Sequence, residues 1–229
     1  RLVGSEMCIR DRAGKTGIHQ TQAVQKLRTR SKSTADAGHA GTLMQRQRRR
    51  NIQHLFHRGF RSLGHPAAGV GGQGILSIAA ALGSAALNNN LYMKQAETHG
   101  MSQRGGDVQS FMRISDRPIY SDLIAKGRAD IILSVEPMEA LRYLPYLREG
   151  GFVVTNSTPF INIPNYPEVE KVMSTLKSLP HQVIIDADTI AKESAGNVRA
   201  SNFVMLGAAS PFIEIPFEYL EEGIRAIFS

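Results

Sequence analysis

Residues Gly69-Val70-Gly71-Gly72-Gln73-Gly74 form a G-x-G-x-x-G run that opens directly into an apolar stretch. Glycines at these intervals let the backbone turn tightly and approach a ligand. A helix starting behind them points its positive end at an anion. The pattern predicts a strand–turn–helix unit, and with it the α/β class. It also calls for a buried strand of about five or six residues just upstream. What stands there is Gly64-His65-Pro66-Ala67-Ala68. Pro66 lacks a ladder donor and Ala67-Ala68 is short, so the first strand is expected to be missing or degenerate.

Downstream of the run, helical and strand periodicities alternate. Residues 75–87 place apolar side chains over a broad helical face, and Asn88-Asn89-Asn90 tolerates the backbone that ends a helix. Strands are expected over 91–97, 108–114, 129–135, 152–155 and 182–185, with a return strand over 119–121. Helices are expected over 138–147, 168–178, 186–193, 202–209 and 218–227, with Asp186 or Asp188 near a cap. This alternation predicts a Rossmann-like α/β domain over 66–229, a mostly parallel sheet with helices on both faces. The last helix is read as cut at Ser229, so the domain is expected to be truncated at its C-terminus.

Charge separates the first part of the chain from the rest. Residues 1–68 hold 14 Lys/Arg against 3 Asp/Glu, a net +11, whereas 69–229 hold 13 against 17, a net −4. The organised region therefore lacks the basic stripe that nucleic-acid backbones need, and no nucleic-acid partner is expected. Residues 1–65 show no apolar period and read as a disordered or artefactual segment. Within them, Ser5-Glu6-Met7-Cys8-Ile9-Arg10-Asp11-Arg12 resembles translated sequencing-adapter text. Cys8 is the single cysteine of the chain. Iron–sulfur clusters need several thiolates, and only His99 and His181 remain as nitrogen ligands in 69–229, so no metal site is expected. No apolar run is long enough to span a membrane. A cytoplasmic location without membrane contact is the expectation.

A second motif follows one βα step after the first: Glu97-Thr98-His99-Gly100-Met101-Ser102-Gln103-Arg104-Gly105-Gly106. Paired glycines draw backbone close to a neighbour. Arg104 suits bidentate clamping of a phosphate or carboxylate, or else an ion pair with Glu97 or Asp107. His99 suits a hydrogen bond or proton exchange near neutral pH, or a structural hydrogen bond. Glu136 and Asn156 each end a buried strand. Open α/β sheets place ligand groups there, and helix capping or turn formation is the equal alternative. Glu97 lies 23 residues after Gly74, a spacing compatible with the acid of a nicotinamide-binding fold.

Taken together, GVGGQG at 69–74, ETHGMSQRGGDVQSFMRIS at 97–115, ADIILSVEPMEALRYLPYL at 129–147 and VRASNFVMLGA at 198–208 resemble the gamma-type subunit of 2-oxoacid:ferredoxin oxidoreductases. The likeness is greatest to the beta subunit of the indolepyruvate enzymes. It implies oxidative decarboxylation of a 2-oxoacid to an acyl-coenzyme A, with electrons passed to ferredoxin. Coenzyme A is then a co-substrate. Thiamine diphosphate and iron–sulfur clusters are expected on a large partner subunit, through which ferredoxin is reached. The residues carried over as catalytic are His99 and Arg104. Those carried over as cofactor-binding are Gly69, Gly71, Gly72, Gln73, Gly74, Ser102, Gln103, Gly105, Gly106, Glu136 and Asn156. A subunit inactive alone is expected. An NAD(P)-dependent dehydrogenase using the glycine loop is the alternative.

Overall fold

The computed structural model describes residues 63–70, 74–99, 107–161 and 163–228. Among these residues six strands form one sheet. In chain order they are β1 (Leu63–Val70), β2 (Tyr92–His99), β3 (Asp107–Ser115), β4 (Ala129–Ser134), β5 (Leu147–Asn156) and β6 (Gln182–Ile185). Their spatial order is β2-β3-β1-β4-β5-β6. The β1–β4, β4–β5 and β5–β6 pairs are parallel, and β1–β3 and β2–β3 are antiparallel. The sheet is thus mostly parallel, with an antiparallel hairpin along one side.

The first strand, expected to be missing or degenerate, is present and lies inside the sheet. It draws on Leu63, Gly64 and His65, which the sequence reading assigned to the N-terminal segment. Eight residues of β1 pair with β3, whereas its pairing with β4 runs through Ala67 and Ala68. Pro66 therefore stands just ahead of the two-sided part of the strand, where a missing donor is tolerated. Pairing supplied by β3 replaces the strand propensity that the local sequence lacks.

Among the described residues six α-helices cover the sheet: α1 (Ile75–Asn88), α2 (Pro137–Arg142), α3 (Val169–Ser178), α4 (Ala187–Ala195), α5 (Ser201–Ala209) and α6 (Phe217–Phe228). The period-2 alternation of β4 and β5 sends their side chains to two separate cores. Ile131, Leu133 and Val154 pack with Ile78 and Leu82 of α1, Phe203 and Leu206 of α5, and Leu220 and Ile224 of α6. Ile132 and Val153 pack on the opposite face with Ala140 of α2 and Val172 and Leu176 of α3. Each fully buried Leu, Ile or Val contributes about 1.5–3 kcal/mol of transfer free energy.

Two expected elements differ. The helix expected over 138–147 stops at Arg142, a 3₁₀ turn spans Leu144–Tyr146, and β5 begins at Leu147. Pro145 cannot supply a helical donor, which sets that stop. Residues 119–121 form no strand. The Lys94 ammonium donates to the Tyr120 carbonyl at 3.4 Å and the Arg113 guanidinium to the Ser121 carbonyl at 3.0 Å. Side chains of β2 and β3, rather than a backbone ladder, hold this segment. Asn90 takes the left-handed backbone expected after α1, with φ 55°. No helix among the described residues is long and apolar enough to cross a membrane.

Candidate functional site

Strand register brings the expected site residues that lie among the described residues to one end of the sheet. β1 ends at Val70, opposite Asp107 at the start of β3. His99 at the end of β2 lies opposite Val108. Ser134 at the end of β4 is level with Ala68 and Thr155. Asn156 ends β5 level with Ile185 of β6. The connections 71–73 and 100–106 leave and re-enter the described structure at this same end.

The strand order marks this end for a topological reason. β1 and β4 are parallel neighbours, but the helices that follow them diverge. α1 packs in the core on one face and α2 in the core on the other. Adjacent strands whose helices part in this way leave a ligand-sized cleft at their carboxyl ends.

On the β1 side, Gly74 adopts φ +79° immediately before α1. A Cβ built there would lie 2.5 Å from Asn202 Nδ2. Glycine is therefore required twice over, by backbone angle and by close approach. Asn202 is buried at the start of α5. Its Nδ2 donates to the Gly74 carbonyl at 3.3 Å, and its Oδ1 accepts from the Phe203 amide at 2.9 Å. The first turn of α1 carries no acidic residue to repel an anion at the helix N-terminus.

On the β4 side, Glu136 is fully buried. Its Oε2 accepts from the Glu139 amide at 2.8 Å and so caps α2. Its Oε1 accepts from the Tyr166 hydroxyl at 2.5 Å and from the Phe160 amide at 3.4 Å. The Ser134 hydroxyl donates to the Glu136 carbonyl at 2.5 Å. Burial, and after it the bond to Glu136, hold the Tyr166 phenol well above its ordinary pKa. Tyr166 stays a neutral donor, and both carboxylate oxygens of Glu136 are engaged within the fold. Glu139, also buried, pairs with Arg142 at 3.0 Å.

Asn156 is buried beside them on the next strand. Its Nδ2 donates to Asp188 at 3.3 Å, and its Oδ1 accepts from the Ala187 amide at 3.0 Å. The side chain thus ties β5 to the start of α4, whose first turn Asp186 caps through the Thr189 amide at 3.0 Å.

The described residues accordingly place Gly69, Gly74, Glu136, Asn156 and the His99 backbone at one sheet end. Gly71, Gly72, Gln73, Ser102, Gln103, Arg104, Gly105 and Gly106 lie outside the described residues, as does the His99 side chain. No group of three or more His, Cys, Asp or Glu able to hold a metal occurs among the described residues. Asn202 and Tyr166 were not singled out from sequence. Asn202 had a signal, as a polar residue opening the otherwise apolar α5. Tyr166 had none, because its contact with Glu136 spans 30 residues.

The topology also bears on the nicotinamide alternative. In a dinucleotide-binding fold the ribose-binding acid ends the parallel strand beside the first. Here the parallel neighbour of β1 is β4, on its other side, whereas antiparallel β3 stands between β1 and β2, the strand that carries Glu97. Two strand spacings, roughly 10 Å, separate β2 from β1. Gln95 of the same strand donates to the Glu97 carboxylate.

Comparison with known proteins agrees with this architecture. Pyruvate ferredoxin/flavodoxin oxidoreductase is the family that matches, over residues 67–229, and the chain belongs to it. It is 40% identical over 167 residues to the indolepyruvate oxidoreductase subunit IorB of Pyrococcus horikoshii, covering 69% of this chain and 82% of that subunit. It is 31% identical over 164 residues to the pyruvate/ketoisovalerate oxidoreductases common subunit gamma of Thermococcus litoralis, covering 70% and 84%. The crystal structure of the pyruvate oxidoreductase subunit PORC from Thermotoga maritima superposes with a TM-score of 0.54 at 19% identity, covering 74% of this chain and 86% of that one. The last likeness is one of fold.

Proposed function

We propose that this chain is the small subunit of an aryl 2-oxoacid:ferredoxin oxidoreductase, with indolepyruvate as the substrate type. The observation that carries this reading is the 40% identity to an indolepyruvate oxidoreductase subunit across 82% of that subunit's length. The corresponding figure for the pyruvate/ketoisovalerate subunit is 31%. The reaction is oxidative decarboxylation of the 2-oxoacid, transfer of the acyl group to coenzyme A and delivery of two electrons to ferredoxin.

Thiamine diphosphate supplies the carbanion chemistry when bound, and this reading assigns it to a large partner subunit. The same subunit holds the iron–sulfur clusters. One cysteine in the whole chain, Cys8, is too few thiolates for a cluster here, which supports that division. The role left to this chain is to border the shared site and to bind part of coenzyme A. The start of α1 behind Gly74 suits a phosphate, because a helix N-terminus attracts an anion and no carboxylate stands in its first turn. Arg104 is assigned to an anion of substrate or coenzyme A, and His99 to a hydrogen bond at the same site.

Co-expression with a large oxidoreductase subunit, followed by viologen reduction, tests the reading. The purified complex is expected to reduce viologen only when indolepyruvate and coenzyme A are both present, and the isolated chain is expected to be inactive. Reduction driven by pyruvate but not by indolepyruvate would reassign the substrate. Micromolar binding of NAD or NADP to the isolated chain, about 8 kcal/mol of recognition, would favour the dehydrogenase instead.

A further inference from the structure

The connection from β5 to α3 crosses the carboxyl end of the sheet and is fastened there. The Ser157 amide donates to the Ile185 carbonyl at 2.8 Å, beyond the end of β6. Further along, the Phe160 amide and the Tyr166 hydroxyl both donate to Oε1 of buried Glu136, at the end of β4. Two of these three ties end on buried Glu136, so the segment is held against the carboxyl end of β4. Yet it carries Phe160 at 44% exposure and Ile161 at 65%, two large apolar side chains in water. From Pro159 to Pro164 the sequence contains no charged residue. Phe160 and Ile161 themselves carry no group that pairs with an anion or a sugar. A flat, uncharged ring suits them, because burying such side chains against an aromatic group removes apolar surface from water and permits ring stacking.

We propose that Phe160 and Ile161 form the apolar wall that receives the side chain of the aryl 2-oxoacid, and that Tyr166 and Glu136 are positioning residues that hold this wall at the carboxyl end of the sheet. The inference rests on the function proposed above and adds the residues that select an aryl side chain over a small one. In this division the glycine loop takes anionic groups on the β1 side and the 159–161 rim takes the ring on the β4 side.

The test uses the assembled complex with Phe160→Ala, Ile161→Ser and Tyr166→Phe, each measured with indolepyruvate and coenzyme A varied in turn. Phe160→Ala and Ile161→Ser are expected to raise KM for indolepyruvate about tenfold, with KM for coenzyme A unmoved. Tyr166→Phe is expected to shift KM for indolepyruvate in the same direction by a smaller factor. Ile161 is mostly exposed, so its substitution keeps the fold intact and the measurement readable. An unchanged KM for indolepyruvate in both wall variants would overturn the proposal. So would loss of the complex on gel filtration, because the rim would then be a contact between subunits. Failure of the wild-type complex to oxidise any aryl 2-oxoacid would overturn the function itself, and the wall with it.

Discussion

Glu136 concentrates more of the fold's polar bonding than any residue around it. One buried carboxylate caps α2, receives the Phe160 amide and accepts the Tyr166 hydroxyl. Hydrogen bonds to a charged group contribute about 1.5–3 kcal/mol each, and leaving the group unsatisfied costs more. Tyr166→Phe removes one such donor and keeps the ring. It is expected to lower stability by about 1.5–3 kcal/mol, read from urea unfolding with an unchanged slope. A second titratable group gives a pH signature. Burial, then the charges of Asp130 and Asp116, hold the Glu214 carboxyl above its ordinary range. A carboxyl raised in the folded state favours the fold at pH below its unfolded pKa, and that contribution is lost as pH rises through the folded pKa. Glu214→Gln is therefore expected to raise Tm at pH 7. Thermal melts should show the gain shrinking to nothing below about pH 4, near the unfolded carboxyl value.

At the scale of elements, α1 and α6 make the tightest helix pair of the domain. A Cβ added at Gly223 would lie 2.3 Å from the Ala81 carbonyl oxygen, which is backbone and cannot turn aside. Gly223→Ala is expected to force the helices apart at a cost of about 1–3 kcal/mol, measured as a lowered denaturation midpoint. The periodic elements were legible in the sequence because their own residues carry the pattern: α1, β4, α3, β6 and α6 lie within two residues of where periodicity puts them. β1 was not legible, because its stability comes from β3 across eight pairs and not from Gly64-His65-Pro66 itself. The short α2 was overextended because its apolar run continues past Arg142, while Pro145 decides the outcome. For the site, glycine spacing and strand ends named residues of which Gly69, Gly74, Glu136 and Asn156 are gathered by the fold at one end of the sheet. The Tyr166 tether and the Asn202 bond to Gly74 are contacts over 30 and 128 residues, and one-dimensional pattern does not carry them.

For the whole molecule, the sheet's carboxyl end carries two different surroundings. Gly74 and the start of α1, with no acidic residue in its first turn, stand on the β1 side. Buried Glu136, holding Phe160 and Tyr166, stands on the β4 side. The net charge of −4 over 69–229 fits a small-molecule and subunit partner better than a polyanion. The proposed function requires this end to take part in the reaction of the assembled enzyme. Arg104→Ala in the complex tests it most directly, through steady-state kinetics with coenzyme A and 2-oxoacid varied and a melting curve alongside. A lost charge-assisted contact costs about 1.5–3 kcal/mol, so the affected KM or kcat should change roughly tenfold to a hundredfold while Tm holds. A lowered Tm with unchanged kinetics would contradict the claim, because Arg104 would then serve an ion pair with Glu97 or Asp107 and the loop would be scaffold.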